Sequence, residues 1–147
     1  MAIKSSTGLR TAMLDTADFV SAIPNRVLLL YTGAIPATAD AAQTGAPICI
    51  ISDNSTGDPL LFEEAAGGAM VKDSSQVWSG LVAGGGGTVT HWRMVSGTDT
   101  GALSTTEPRI QGTAGTDGGN DLIMSSAVLT GGATHTIDSG TVSQGTF

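Results

Sequence analysis

Residues 79–95 read SGLVAGGGGTVTHWRMV, four consecutive glycines set between two apolar runs. Such a run either cradles a phosphate or reverses the chain. A phosphate loop of the GxxxxGK[ST] type needs a Lys for the terminal phosphates and a helix whose N-terminus faces the anion. No Lys follows here, and a β-branched, aromatic run stands where that helix would begin. The glycines therefore read as a hairpin tip that permits positive φ, with residues 76–83 and 88–95 as arms pairing antiparallel. Alternation in the second arm puts Thr88, Thr90, Trp92 and Met94 on one face and Val89, His91, Arg93 and Val95 on the other. Trp92 and Met94 are the expected core residues, with Trp78 beside Trp92. His91 reads as a half-exposed strand histidine.

Outward from this stretch the same spelling continues. Short apolar runs divided by turn residues occupy 26–32, 47–52, 59–63, 69–72, 109–113, 121–129 and 135–142. With the two arms they predict an all-β domain, a two-sheet antiparallel β-sandwich of jelly-roll type. One helix precedes it. Leu9, Ala12, Met13, Ala17 and Val20 recur at helical spacing over residues 7–23, Ser6 or Thr7 is placed to cap the start, and Pro24 closes the end. That stripe packs on the chain's own sheet or, in the sharper reading, forms an N-terminal arm of about residues 1–24 that docks on a neighbour through Leu9, Met13, Phe19 and Val20. A helical turn over residues 37–42 is a further expectation, since ATADAA is alanine-rich. The whole chain, 1–147, is read as a single domain, the glycine-rich tail supplying a last strand.

Composition narrows the function. The 147 residues hold six basic and thirteen acidic side chains, a formal charge of −7, with no basic cluster. Binding to nucleic acid through phosphate neutralisation is not expected of such a chain. Charged residues are 13% of the total, about half the usual share. A surface of Thr, Ser, Ala and Gly suits a protein that packs against copies of itself or other subunits. No stretch approaches the ~20 apolar residues of a membrane helix, and the start MAIKSSTGLRTAMLD lacks a signal-peptide core, so synthesis in a cytoplasm without membrane insertion is expected. Cys49, alone in the apolar run PICII, reads as a buried inert thiol.

Three constellations mimic chemistry. THTIDSG offers His135, Asp138 and Ser139, the residue types of a hydrolase triad, but no GxSxG elbow accompanies them. SDNSTGDPLLFEE sets Asp53, Ser55 and Glu64 at calcium-loop spacing with Gly57 one place early, and TDGGNDLI resembles one calcium-binding nonapeptide unit. Both read as turns. His91 and His135 lack a third ligand at a recognisable spacing. No enzyme, cofactor or metal is expected.

Several phrases read together, MAIKSSTGLRTAML, LLLYTGAIPATADAA, VWSG and GTDTGALSTTEPRIQGTAG, resemble a family of small β-rich proteins encoded among the structural genes of tailed bacteriophages. The resemblance implies a virion component on the head-to-tail connector or tail, or on the capsid surface. It brings no catalytic residues. A homotrimer contacting portal, adaptor or major capsid protein is the expected assembly, with a capsid cement protein and a carbohydrate-binding module for host adsorption as alternatives.

Overall fold

The computed structural model describes residues 3–15 and 17–143. Its elements in chain order are β1 (Lys4–Ser5), α1 (Thr7–Asp15), α2 (Phe19–Ala22), β2 (Arg26–Tyr31), β3 (Cys49–Asp53), β4 (Ala69–Val71), β5 (Trp78–Leu81), β6 (Gly86–Thr88), β7 (His91–Ser96), β8 (Arg109–Gly115), β9 (Leu122–Ile123), β10 (Val128–Thr130), β11 (Thr134–Ile137) and β12 (Thr141–Ser143). The protein is mostly β. One large sheet runs in the order β1-β8-β7-β2-β3-β5-β11, all antiparallel, with β9 added parallel to β8. Two-stranded ribbons β6/β10 and β4/β12 complete it.

The predicted helix over 7–23 is two pieces. Ser6 Oγ accepts the Leu9 N–H at 3.1 Å and so caps α1. Asp18 then caps α2, its carboxylate accepting the Ser21 N–H at 2.7 Å. An Asp that bonds the backbone ahead of it starts a new helix rather than extending the old one. Leu9 and Phe19 are buried in the chain's own core, and Met13 and Val20 pack against it. Leu9 and Phe19 thus serve the chain's own core, the first of the two readings of the stripe, while Met13 and Val20 are half-buried. Residues 37–42 form a turn, with Ala41 N–H donating to Thr38 O, and not a helix.

The glycine run is a reversal, as expected, but its two arms do not pair. Beyond the turn closed by Gly86 N–H on Ala83 O, β5 pairs with β3 and β11, and β7 pairs with β2 and β8. The glycines themselves enter β6, whose partner is β10, some forty residues on. Contact distance explains this. A Cβ on Gly86 would lie 2.0 Å from Leu129 O, and one on Gly131 would lie 2.0 Å from Gly84 O. Two glycine turns interlock backbone to backbone, which only residues without Cβ allow. The runs at 88–95, 121–129 and 135–142 each break into two elements, and residues 59–63 contribute only the isolated bridge Phe62↔Lys72.

One face of the large sheet carries the core. Leu28, Leu30, Cys49, Ile51, Trp92, Met94 and Ile110 alternate onto it, joined by Leu9, Ile23, Trp78 and Ile137. Gly112 lies opposite Trp92, and a Cβ there would come within 2.9 Å of the indole and of Asp121. An aromatic chain, Phe19 to Phe62 at 6.1 Å and Phe62 to Trp78 at 5.3 Å, both edge to face, ties α2 to the sheet.

Gly131→Ala is expected to lower unfolding stability in urea by about 1–3 kcal/mol through overpacking. Gly118→Ala, with open space around it, is expected to stay within about 0.5 kcal/mol. Equal effects at the two sites would disprove the interlock.

Candidate interaction surface

The second face of the sheet is where sequence reasoning and structure part most. The whole of β7 is buried on both sides, so His91 is 1% exposed instead of half-exposed. With it lie Arg93, Arg109 and Gln111, all polar and all within the fully buried set. Their cover comes from two segments without regular structure, residues 36–43 and 97–104.

Each buried group is met. Arg109 grips Asp99 with Nε to Oδ2 at 2.5 Å and Nη2 to Oδ1 at 2.7 Å, and donates Nη2 to Ala102 O at 2.8 Å. Its Nη1 reaches Ala39 O and Asp40 O. Arg93 has no carboxylate; Nε and Nη2 donate to Gln111 Oε1 and Nη1 to Ala41 O. Burial first, and the neighbouring Arg109 next, push the Arg93 guanidinium below its ordinary value. Gln111 Nε2 donates to Pro36 O at 2.8 Å. Asp40 reaches the helix as well, accepting Thr7 N–H and Thr7 Oγ1–H at 2.7 Å each, bonds that hold its carboxyl below the usual range. The two segments are thus fixed to the sheet by side chains rising from it.

His91 stacks on Tyr31 at 5.2 Å across the β2–β7 pair. Burial, with the Arg93 charge beside it, pushes His91 down to about 4, so the ring is neutral at pH 7. Thr90 Oγ1 stands 2.6 Å from Gly33 O, which fixes its proton there, and it accepts from His91 Nδ1 at 3.1 Å. His91 Nε2 is then an acceptor, 3.2 Å from the Gln43 side-chain amide. A half-turn of that amide puts its NH2 on the ring and gives the otherwise unpartnered Gln43 Nε2 a partner.

Beyond this covered half the turn at residues 54–57 lies over Ser52 and Ser79, through Gly57 N–H donating to Ser52 Oγ and the Ser55–Ser79 hydroxyl pair, and the side chains next to it stay exposed. Leu29 pairs with Ile50 across β2–β3, and the β3–β5 register of Ser52 with Ser79 and Cys49 with Val82 sets Ile50 opposite Leu81. Ile50 is 50% and Leu81 62% exposed. They form a cross-strand apolar row on the surface beside Pro47 and Ala83.

The other sequence candidates fall apart or serve as turns. His91 and His135 stand on β7 and β11, four strands apart in the sheet. No hydrogen bond joins His135, Asp138 and Ser139 among the described residues. Asp53 Oδ1 accepts from Asn54 Nδ2 and Asp58 Oδ2 from Thr56 Oγ1 within one tight turn, and Asp53 Oδ1 also accepts Val77 N–H from the segment just before β5. Asp117 Oδ1 accepts Gly119 N–H and Asn120 Nδ2–H in the same manner. Among the described residues no three metal-capable side chains gather, and no helix is long and apolar enough to cross a membrane. Cys49 is buried, and burial raises its thiol to about 11. Sequence reasoning does not find the arginine layer; its one signal is that HWRMVS and RIQGTAG each place Arg among apolar residues in a strand.

Asp99→Ala leaves a buried guanidinium without its counter-charge and is expected to cost about 3–5 kcal/mol in chemical denaturation. A loss under ~1 kcal/mol would mean that the pair does not hold the cover. For His91 the folded state disfavours the proton, so its contribution is complete above about 6.5 and is lost as pH falls towards about 4. The melting temperature of the native chain should therefore fall across that window more than that of His91→Gln; identical slopes would contradict a buried neutral ring.

Comparison with protein-family models, characterised proteins and solved structures finds no match for this chain.

Proposed function

We propose that the chain is a non-enzymatic structural component of a tailed-phage virion. In this reading it is made in the host cytoplasm and assembles as a homo-oligomer, a trimer by preference, on the head-to-tail connector or tail as a fibre- or spike-like protein. The observation that carries the reading is the exposed pair Ile50 and Leu81, continued by half-buried Leu29 on β2. Burying a side chain of this size stabilises association by roughly 1.5–3 kcal/mol. Three subunits closing around a symmetry axis bury every copy of such a row without leaving an open end. The low share of charged residues, 13%, favours the same outcome, because few ions must be stripped of water when subunits meet. The resemblance of the sequence phrases to phage structural proteins suggests the setting.

The finer architecture, a jelly-roll-like sandwich, belongs to this proposal. It is supported by the way Trp78 and Ile137 from one end of the sheet and Leu28 and Met94 from its middle line one cavity, as two facing layers do. A carbohydrate-binding role draws no such support, since Trp78 and Trp92 are 2% and 6% exposed and offer no ring face for a sugar.

Light scattering on the purified chain at micromolar concentration is expected to give a trimer. Ile50→Asp combined with Leu81→Asp should give a monomer whose melting temperature stays within a few degrees of the parent, both sites being on the surface. A native chain that is already monomeric would count against the proposal.

A further inference from the structure

Residues 36–43 and 97–104 are joined to each other as well as to the sheet. Gln43 N–H donates to Gly101 O and Ser104 N–H to Asp40 O, each at 2.9 Å, so the two segments form one lid. Among the described residues, the lid has backbone-to-backbone bonds to the rest of the chain only at its hinge beside β7, Gly97 N–H on Asn25 O and Asp99 N–H on Ser96 O. Every other hydrogen bond that seats it goes through a side chain. Arg93, Arg109 and Gln111 hold it from below, Lys4 Nζ donates to Ala37 O, and Asp40 accepts from Thr7. His91 lies beneath it with Nε2 on the Gln43 amide. A cavity of about 430 Å³ lies between the two segments, lined by Tyr31, Gln43, Asp99 and Gly101, so this edge of the lid is not packed shut.

The groups around the ring disfavour a proton while the lid is closed. Tyr31 faces it from β2, Arg93 from its own strand, and Thr113, tied to Asp121, from β8, with Arg109 further along that strand. The lid contributes Gln43 and two carboxylates, Asp99 held by Arg109 and Asp40 held by Thr7. A protonated ring would stand beside Arg93, whose acceptors are the neutral Gln111 amide and Ala41 O. Both its nitrogens would donate, so Nε2–H would need Gln43 Oε1 and would leave the buried Gln43 Nε2 without a partner. Both penalties relax once the lid carries Gln43 away and water meets the ring. We infer that residues 36–43 and 97–104 are an acid-sensitive lid: protonation of His91 favours their lifting together off Arg93 and Arg109 while the strands beneath stay paired. The floor so uncovered is cationic, the reverse of the chain's formal charge of −7.

One proton taken up on opening sets the size of the effect. The closed lid holds His91 at about 4 and an open one returns it to its ordinary 6.5, so opening is unaffected above about 6.5 and grows as pH falls between those limits, by at most ~10-fold per pH unit. Amide hydrogen exchange of the isotope-labelled full chain, corrected for the pH dependence of intrinsic rates, measures it. The Gln43 and Ser104 amides report the lid, and those of β2 report the sheet. Gln43 and Ser104 are expected to be less protected than β2 at pH 7, and to lose roughly 100-fold of their protection between pH 6.5 and pH 4. In His91→Gln, which keeps Asp99 and Asp40, the loss should stay under ~10-fold. Lid amides as protected as those of β2 at every pH would mean that the cover opens only with the sheet, and would overturn the inference. An equal loss in the variant overturns it as well, since the carboxylates and not the ring would then drive opening. Should His91→Gln fail to fold, the ring resonances of His91 in the native chain decide: a midpoint near 4 together with loss of lid protection supports the inference, and a midpoint near 6.5 overturns it.

Discussion

Arg109 has no contact with solvent, and a charge held that way must be met on every side. The groups that meet it come from outside its own sheet: the Asp99 carboxylate and the carbonyls of Ala102, Ala39 and Asp40. Two irregular segments are thereby pinned over β7 and β8. Arg93 and Gln111 extend the same attachment to Ala41 and Pro36, and Asp40 passes it on to the start of α1. Helix, loops and sheet centre are one connected body because a guanidinium in the middle leaves them no alternative partner.

That attachment also divides the outer face. Over β7, β8 and the near edge of β2 the cover is polar, local and complete. Past Leu29 it stops, and the next strands offer Ile50 and Leu81 to solvent. The chain therefore covers one half of its second face completely and in the other half leaves Ile50 and Leu81 exposed beside the buried Ser52 and Ser79 and the threonines of β11.

Much of the fold could be read from residue order. The strand RVLLLY, the core pair Trp92 and Met94, the Ser6 cap and the buried thiol of Cys49 follow from local pattern, because each depends on neighbours a few positions away. The failures share a cause. The glycine run signals a reversal correctly, but the partner of β6 lies near Gly131, and local rules pair adjacent runs first. Alternation makes His91 half-exposed because it assumes one wet face, whereas the core dries one face of β7 and the loops from residues 36–43 and 97–104 dry the other. The helix over 7–23 was drawn too long because its apolar stripe continues across Asp18, whose carboxylate caps a new turn. As for the surfaces, low charge was visible from composition, but the row of Leu29, Ile50 and Leu81 exists only once β2, β3 and β5 are aligned in register.

The central claim is that the open half of the sheet face is made to be covered by further copies of this chain. A side-chain-resolution reconstruction of the assembled protein tests it most directly. The account predicts Ile50 and Leu81 of every copy buried against a neighbouring polypeptide, with residues 36–43 and 97–104 still seated over Arg109. Copies that meet elsewhere, leaving Ile50 and Leu81 in solvent, would contradict it.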